Sequence, residues 1–401
     1  MPLIGLLRVM VRKACARSLV RFLQLTQSAA PLLASRSIFS VALHMKPVTD
    51  NLRINSIRTV STPAQVQAEI AITDAAAKTI SEARREAQDI LHGRDDRLIV
   101  VVGPCSIHDP KAALEYASRL APLREELKKD LLLIMRVYFE KPRTTVGWKG
   151  LINDPDLNDS YQIDKGLRIA RSLLLKLNDE GMPAGVEYLD VLTPQYLADL
   201  VSWGAIGART TESQVHREMA SGLSCPVGFK NGTDGSVKVA VDAVMSARSP
   251  HRFLSVTSKG EISIFETKGN EDSHIILRGG SNGTNYDAGA VEAASAAMTK
   301  AGLKPLVMID FSHANSSKQH KRQIVVGHDV GSQLAAGDQR IIGVMIESHL
   351  VEGRQDISTP DKMTYGQSIT DACIHWDDTV DVLRNLAASV AQRRKQLAKS
   401  A

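Results

Sequence analysis

Cysteine is scarce in this sequence and shows no paired spacing. Its 401 residues include Cys15, Cys105, Cys225 and Cys373. Isolated cysteines in a chain of this length are typical of a reducing compartment, and they predict free thiols and not a disulfide framework. Long apolar runs are also missing, since no stretch reaches the roughly 18 residues that a membrane-spanning helix needs. The sequence therefore predicts no membrane partner.

Acidic residues are missing from the first 49 positions, where seven basic residues occur. These are Arg8, Arg12, Lys13, Arg17, Arg21, Arg36 and Lys46. Outside this segment, 42 Lys and Arg residues face 44 Asp and Glu residues, so the remainder is nearly neutral. Nucleic-acid binding depends on clustered basic charge, and we therefore expect no nucleic-acid partner.

Residues 1–44 are predicted to be a basic N-terminal extension. Their content of Arg, Leu, Ser and Ala is typical of a mitochondrial transit peptide. Met45, followed by KPVTDNLRI, is also a plausible native start. The first interpretation predicts import into an organelle. The second, which we favour, predicts an over-extended start and a cytoplasmic protein.

Residues 45–96 are expected to form an N-terminal arm with a helix over 62–92. Thr62 and Gln65 suit a capping box at the start of this helix, and Gly93 follows its end. The arm precedes a main domain that covers residues 97–401.

In the main domain, short apolar runs alternate with helix-like sequence, a pattern that favours a parallel sheet with crossover helices. Eight such runs occur, at 98–103, 131–139, 184–188, 204–210, 226–230, 274–279, 306–312 and 343–348. Eight strand and helix units predict an α/β protein of the (β/α)8, or TIM barrel, class. Residues 252–266 instead carry two β-like runs around Lys259 and Gly260, which predict an inserted β-hairpin.

Six cations lie at or just after the predicted strand ends. They are Arg136, Lys141, Arg143, Arg209, Lys230 and Arg278. Active sites of such barrels lie at the carboxyl ends of the strands. These side chains should therefore lie close together at that end of the barrel, without carboxylate partners and available to bind an anion. Arginine and lysine in this number suit a polyanion or two phosphate groups. The alternative, six separate surface ion pairs, does not explain why all six share one kind of position.

A second set at the strand ends consists of a thiol, an imidazole and two carboxylates: Cys105, His313, Glu347 and Asp371. They follow the first, seventh and eighth runs, which become neighbours when a barrel closes. Mixed S, N and O ligands suit a catalytic divalent metal such as Mn, Fe or Co better than structural zinc. Taken singly, the cysteine could be a buried apolar residue and the histidine a structural one.

Seven motifs carry a resemblance to a known family. They are GPCSIHDP, MRVYFEKPRTTVGWKG, GARTTESQ, CPVGFKNGTDG, ILRGG, IDFSHANSSK and IESHL. In these motifs the sequence resembles the type I 3-deoxy-D-arabino-heptulosonate 7-phosphate (DAHP) synthases, over about residues 50 to 395. The resemblance implies condensation of phosphoenolpyruvate with D-erythrose 4-phosphate, with release of phosphate, as the first step of the shikimate pathway.

The resemblance also implies residue roles. Cys105, His313, Glu347 and Asp371 match the metal ligands of the family, and Arg136, Lys141, Arg209, Lys230 and Arg278 match its phosphoenolpyruvate contacts. Lys141, Pro142, Arg143 and Thr144 match its contacts to erythrose 4-phosphate. We expect Lys141, Cys105 and His313 to take part in catalysis. Glu187 is our candidate for orienting the water that attacks C2 of phosphoenolpyruvate.

Family members are commonly inhibited by one aromatic amino acid, bound away from the barrel mouth. Ser224 resembles a position in that effector pocket, although the sequence does not indicate whether Phe, Tyr or Trp binds. The arm and the hairpin are candidates for oligomer contacts or for regulation, and a homodimer or homotetramer is expected. Two alternatives stay open: a synthase that takes arabinose 5-phosphate, and a catalytically silent effector-binding barrel.

Overall fold

The structure is a computed structural model that describes residues 49–143, 145–359 and 362–400. The predicted extension at 1–44 and the predicted substrate contact Thr144 lie outside the described residues. The chain divides after Arg58 into two units. In the first, residues 49–58 contain a turn in which the Ile54 N–H donates to the Asn51 carbonyl oxygen (3.1 Å). The second unit begins at Thr59 and contains the fold described below.

Eight parallel strands close into a barrel, as predicted. In order around the barrel they are β1 (Leu98–Gly103), β2 (Leu131–Arg136), β3 (Ala184–Glu187), β4 (Trp203–Ile206), β5 (Val227–Lys230), β8 (Ser273–Leu277), β9 (Val307–Asp310) and β10 (Ile341–Glu347). The inserted strands β6 (Arg252–Val256) and β7 (Ile262–Glu266) form a separate antiparallel pair. Short strands β11 (Val351–Arg354) and β12 (Gln367–Ser368) pair after the last barrel strand.

Strand β1 supplies two apolar layers, which explains why it is a continuous apolar run in the sequence. Along β1, Ile99 and Val101 pack inside the barrel, whereas Leu98, Val100 and Val102 pack toward the helices. All of these side chains are fully buried. Branched apolar residues therefore fill the barrel as a packed core and leave polar groups to its ends.

Helices surround the barrel. They are α1 (Pro63–Glu69), α2 (Asp74–His92), α3 (Pro110–Leu127), α4 (Ile163–Asp179), α5 (Pro194–Leu197), α6 (Gln214–Ser221), α7 (Lys238–Ala247), α8 (Ala288–Lys300), α9 (Arg322–Ala335) and α10 (Trp376–Ser400). None of the described helices is both long and apolar enough to cross a membrane.

The predicted single helix at 62–92 is wrong in one respect, because the structure divides it into α1 and α2. Its start is as predicted, with a reciprocal capping box between Thr62 and Gln65. The division occurs at Thr73, whose extended backbone and side-chain bond from the Ala76 N–H start a new helix. Gly93 ends α2 in the left-handed conformation, with φ of 74°.

Several strands end earlier than their apolar runs predict. The run at 204–210 stops being a strand after Ile206, because the N–H groups of Thr210 and Thr211 both donate to the Gly207 carbonyl oxygen and turn the chain. The run at 306–312 likewise ends at Asp310. Arg209 and His313 therefore lie on loops above the barrel. The hairpin, by contrast, has the predicted bounds, 252–266.

Candidate active site

A cavity of about 400 Å³ lies at the mouth of the barrel, where the strands end. We call it the mouth cavity. Its lining includes Lys141, Pro142, Arg143, Glu187, Arg209, Lys230, Arg278, His313, Glu347 and Asp371. Residues from the ends of seven barrel strands or the loops that follow them, together with Asp371 after β12, therefore reach one space, as expected for a barrel active site.

A thiol and two carboxylates meet beside this cavity. One ligand atom each from Cys105, Glu347 and Asp371 lies within 4.8 Å of the others. The Asp371 N–H donates to Cys105 Sγ (3.4 Å), and the thiol contacts Asp371 Oδ2 at 3.5 Å. Lys141 Nζ approaches the same sulfur at 3.2 Å. The β1 and β10 strand ends and the loop after β12 thus bring together three of the four predicted metal ligands.

Close packing of β1 against β2 sets the position of Cys105. A Cβ atom on Gly103 would lie 2.8 Å from the Arg136 carbonyl oxygen, so glycine is required for this approach. Glu347 is held through its backbone, since its N–H donates to Gln323 Oε1 (2.9 Å) and its carbonyl accepts from Gln323 Nε2 (3.0 Å). Both ligand-bearing positions are therefore rigid.

His313, the fourth predicted ligand, lines the same cavity but is not part of the close cluster of three. Its Nδ1 contacts Asp310 Oδ2 (3.0 Å) and Ser312 Oγ (2.6 Å). Nε2 is therefore the ring nitrogen available to a ligand. A carboxylate on the far ring nitrogen is typical of metal-binding histidines, so this arrangement fits a ligand role.

The donor set fits a divalent metal in chemistry and in charge. Burial and the nearby Glu347 carboxylate raise the pKa of Cys105 to about 12. Its thiol is therefore neutral unless a metal cation binds and lowers that pKa. Burial alone would raise the pKa of Asp371, but the charges of Lys141 and His313 hold it at about 2. Cys105, Glu347, Asp371 and the nearby His313 could hold Mn, Fe or Co.

Two of the six predicted cations are paired with buried carboxylates, so the expectation of unpaired charges is wrong for them. Arg136 Nη2 contacts Glu347 Oε1 at 3.0 Å, and its guanidinium carbon lies 3.5 Å from the centre of the Tyr138 ring. Lys230 Nζ contacts Asp310 Oδ2 at 3.0 Å. A buried charge without an opposite charge beside it would lower the free energy of unfolding, which explains why both cations are paired.

Asp310 is a site residue to which the sequence assigned no role. It contacts Lys230 and His313 together, and it accepts from Ser312 Oγ at 2.7 Å. Burial alone would raise its pKa, but its contacts with Lys230 and His313 hold the pKa of Asp310 well below its usual range. A carboxylate ending a strand three residues before the predicted ligand His313 is the sequence signal that could have revealed it.

Arg209 and Arg278 carry the unpaired charges that the sequence predicts. Neither forms an ion pair with any carboxylate among the described residues. The Arg278 guanidinium makes a weak bond to the Gly279 carbonyl oxygen (3.4 Å), and its backbone N–H is held by Asn231 Oδ1 (2.7 Å). Burial, reinforced by the charge of Arg209, lowers the pKa of Arg278. The cavity therefore contains positive charge that an anion would stabilise.

Glu187 reaches the cavity from the end of β3. A Cβ atom on Gly207 would lie 2.2 Å from Glu187 Oε1, so the glycine after β4 makes room for the carboxylate. Arg143 lies on the loop after β2, where its Nε donates to the Trp148 carbonyl oxygen (2.7 Å) and its side chain is exposed. It is thus positioned at the outer part of the mouth cavity.

A second cavity, of about 670 Å³, lies between the inserted hairpin, α6 and the loop around α5. We call it the hairpin cavity. Phe253 and Phe265 lie on its hairpin side with ring centres 6.1 Å apart, and Met219 and Leu223 line it from α6 and the following loop. Ser224, the predicted effector contact, is exposed and adjacent to Leu223 but is not among the lining residues.

Comparisons with known proteins show the family to which this chain belongs. Residues 69–384 match the model of the DAHP synthetase I family. The chain belongs to this family. It is 61% identical over 345 residues to the Phe-sensitive phospho-2-dehydro-3-deoxyheptonate aldolase of Escherichia coli K12, covering 86% of this chain and 98% of that one. Identity to the Trp-sensitive protein of the same strain is 51% over 345 residues, with 86% and 99% covered.

The fold of this DAHP synthetase I family member is also similar to that of a solved structure. The phospho-2-dehydro-3-deoxyheptonate aldolase of Francisella tularensis SCHU S4 superimposes with a TM-score of 0.84 at 53% identity. The match covers 85% of this chain and 99% of that one. This chain therefore shares its overall fold with that protein.

Proposed function

We propose that the mouth cavity condenses phosphoenolpyruvate with D-erythrose 4-phosphate, and that the residues described above take the roles set out here. Family membership makes the chain a 3-deoxy-7-phosphoheptulonate synthase, the enzyme of the first shikimate step. The observation that supports the proposal is the cluster of one thiol and two carboxylates beside unpaired arginines. The reaction needs both, because the arginines can bind the two phosphorylated anions and the cluster can hold a metal near the aldehyde.

Cations of the inner cavity bind phosphoenolpyruvate in this proposal. Arg209 and Arg278 provide planar donors that match phosphate and carboxylate oxygens, and Lys230 adds a compact charge. Asp310 holds Lys230 in place. Neutralising the two anions removes their repulsion and holds C3 of phosphoenolpyruvate near the aldehyde carbon, which accounts for much of the rate advantage.

Erythrose 4-phosphate binds toward the outer part of the cavity, with its phosphate at Arg143 and the predicted contacts Pro142 and Thr144. Its aldehyde then points toward the cluster of Cys105, Glu347 and Asp371. Cys105, Glu347, Asp371 and His313 would hold a divalent metal there, which would supply Lewis-acid polarisation of the aldehyde.

Two proton movements complete the reaction. A new bond joins C3 of phosphoenolpyruvate to the aldehyde carbon, whose oxygen must gain a proton, and we assign Lys141 as the donor. Although burial alone would lower the pKa of Lys141, the Cys105 thiol and the neighbouring carboxylates raise it above its ordinary value. Water oriented by Glu187 adds at C2 and gives one proton to Glu187, which replaces the proton lost from Lys141. The new C2 hydroxyl then passes its proton to the departing phosphate as the C2–O bond to phosphate breaks, which leaves the C2 ketone and inorganic phosphate.

Phosphate release provides the test. The purified protein is incubated with phosphoenolpyruvate and either erythrose 4-phosphate or arabinose 5-phosphate, with and without a chelator. We expect release with erythrose 4-phosphate, loss of release on chelation and recovery on adding Mn²⁺. Release with arabinose 5-phosphate alone would assign the related synthase, and no release with either sugar would indicate a silent effector-binding barrel.

The hairpin cavity is the proposed effector site. Its stacked Phe253 and Phe265 rings suit an aromatic side chain. Polar side chains at its edge, Gln195, Glu218 and Lys268, suit an amino acid's charged groups. Relatives described as Phe-sensitive and Trp-sensitive support an aromatic amino acid as the ligand class. Calorimetric titration with Phe, Tyr and Trp identifies which one binds, and Ser224→Ala tests that predicted contact.

An oligomer is proposed from the outer face of the hairpin. Leu254, Ile262 and Ile264 are 73%, 79% and 75% exposed on one face of the pair of strands. An exposed apolar face of this kind is typical of a protein interface. Light scattering should give the mass of a homodimer or homotetramer, and Ile264→Asp should lower it. Cytoplasmic location stays a prediction, supported by the free thiols of Cys105, Cys225 and Cys373.

A further inference from the structure

Two cations at the rim of the mouth cavity have no role in the reaction proposed above. Lys318 and Arg354 line this cavity, but neither belongs to the substrate contacts that the sequence predicts. Both side chains are exposed, whereas Arg136 and Lys230 are buried. An anion that approaches from solvent therefore meets these two groups before it reaches the inner cations.

Lys318 is held at the rim by a backbone conformation that lysine rarely adopts. Its φ is 58°, and that of the preceding Ser317 is 52°, so two consecutive residues with side chains lie in the left-handed region. The Lys318 N–H donates to the His313 carbonyl oxygen at 2.9 Å, and His313 also has a positive φ, of 58°. Strain of this kind persists where the surrounding structure imposes it, and it is concentrated at ligand sites.

The loop that carries Lys318 packs against the segment that carries Arg278. The Asn315 N–H donates to the Arg278 carbonyl oxygen (3.3 Å), and Asn315 Nδ2 donates to the Asp310 carbonyl oxygen (2.8 Å). No carboxylate among the described residues pairs with the Lys318 ammonium group. The loop therefore presents a free charge on the side of the cavity where Arg278 lies.

Arg354 follows Gly353, whose backbone forms an isolated bridge to Cys373 in the segment before the last helix. The Gly353 N–H donates to the Cys373 carbonyl oxygen (2.9 Å), and the Cys373 N–H donates back to Gly353 (3.1 Å). This bridge lies two residues from Asp371. The Arg354 guanidinium contacts Asp356, which is 90% exposed. Exposed ion pairs are weak and screened by solvent, so an arriving dianion can replace this partner.

We propose that Lys318 and Arg354 form an outer anion subsite, which binds a phosphate monoester before it reaches the inner cations. The inference rests on the proposed function, because both proposed substrates are phosphate monoesters. A planar guanidinium and a mobile ammonium group together suit the oxygens of a phosphate. Cations at the mouth of a cleft raise the local concentration of an anionic substrate, and salt weakens this effect.

The test compares the double variant Lys318→Met/Arg354→Met with the wild-type enzyme loaded with Mn²⁺. At low ionic strength we expect kcat/KM to fall about fivefold to tenfold for the substrate that uses the subsite, mainly through KM. The difference should shrink to less than twofold in about 0.5 M KCl. Varying each substrate with the other saturating shows whether phosphoenolpyruvate or erythrose 4-phosphate uses it.

A matched control removes the same charge elsewhere. Lys300→Met/Arg85→Met alters exposed residues on α8 and α2, outside the mouth cavity. It should match wild type within twofold, and Lys318→Arg should restore most of the loss that Lys318→Met causes. An equal loss in the control, a loss confined to kcat, or a loss that salt does not reduce would each overturn the proposal. Arg354→Met alone provides the comparison if the double variant does not fold.

A direct binding measurement separates this inference from the proposed function. Inorganic phosphate is titrated calorimetrically into wild type and the double variant at low salt. Binding at least fivefold weaker in the variant supports the outer subsite even if the wild type does not release phosphate from phosphoenolpyruvate. Equal binding, together with unchanged kcat/KM in a working enzyme, rejects the subsite and leaves the proposed function intact.

Discussion

The mouth cavity and the hairpin cavity are built from opposite kinds of side chain. The mouth cavity is lined by charged groups, among them Lys230 and Arg278, and buried pairs such as Lys230 with Asp310 hold them. The hairpin cavity has two stacked phenylalanines and aliphatic residues. Charged side chains at the ends of the barrel strands suit a reaction between anionic substrates. The apolar cavity beside the inserted hairpin suits binding of an aromatic ligand that does not react.

One buried residue lies between the two regions. Glu140 precedes Lys141 of the mouth cavity, and its Oε2 accepts from Thr193 Oγ1 (3.1 Å). Thr193 stands between Leu192 and Pro194, which line the hairpin cavity. This hydrogen bond therefore joins the segment that carries Lys141 to the segment that carries Leu192 and Pro194.

The largest effect expected is loss of turnover on changing the mouth cluster. Cys105→Ala removes the soft ligand of the proposed metal site, and we expect phosphate release to fall at least about a thousandfold. Thermal unfolding should show an intact fold. Cys225→Ala removes a buried thiol outside the cavity, so this control should keep its activity and lose only about 1 kcal/mol of stability. Comparable activities of the two variants would contradict the metal-site assignment.

Breaking one buried ion pair tests whether the stability of the protein depends on the pairing of charges beside the mouth cavity. Asp310→Asn leaves the Lys230 charge buried without its partner, and we expect a loss of about 3 kcal/mol in the free energy of unfolding. Urea unfolding measures it. The double variant Lys230→Met/Asp310→Asn removes both charges and should recover part of the loss. If it is no more stable than the single variant, the pair does not balance charge as described.

Glu140 gives a pH-dependent prediction for the region between the cavities. Burial, and then the charge of Asp190, raise its pKa from 4.5 to about 8. Between these values the native carboxyl holds a proton that the unfolded chain has lost, so stability falls as pH rises and levels off above the folded pKa.

Glu140→Gln removes this pH dependence. It should match wild type near about pH 5 and exceed its unfolding free energy by on the order of 2 kcal/mol near about pH 8.5. Urea unfolding at the two pH values provides the comparison. A constant difference between the proteins across this range would show that Glu140 is ionised throughout.

The smallest effect concerns the hairpin cavity. Phe253→Ala removes one of the two stacked rings, and we expect the aromatic effector to bind about tenfold more weakly, consistent with about 1.4 kcal/mol of lost packing. The ratio of inhibited to uninhibited activity, measured against effector concentration, reports this change. Ile262→Ala alters an exposed residue of the same hairpin that does not line the cavity, and it should have a smaller effect. Equal effects would place the effector outside the cavity.

The fold was predictable because its signals are local. Eight apolar runs and the turn at Lys259 and Gly260 indicate the barrel and the hairpin without any distant contact. The break before Thr73 was not predicted, because helical composition continues across it and a capping side chain decides the boundary. Strand ends were also placed too late, since the turn at Gly207 interrupts a run that stays apolar.

The sequence by itself determined the barrel, the family and the set of residue types at the mouth, because periodicity and motif spacing are properties of neighbouring positions. Tertiary structure alone decided which charges are paired. Arg136 meets Glu347 across 211 positions of chain, and Asp310 meets Lys230 from another strand. Such pairs form because barrel closure buries both charges in one small space, and no local pattern encodes that distance.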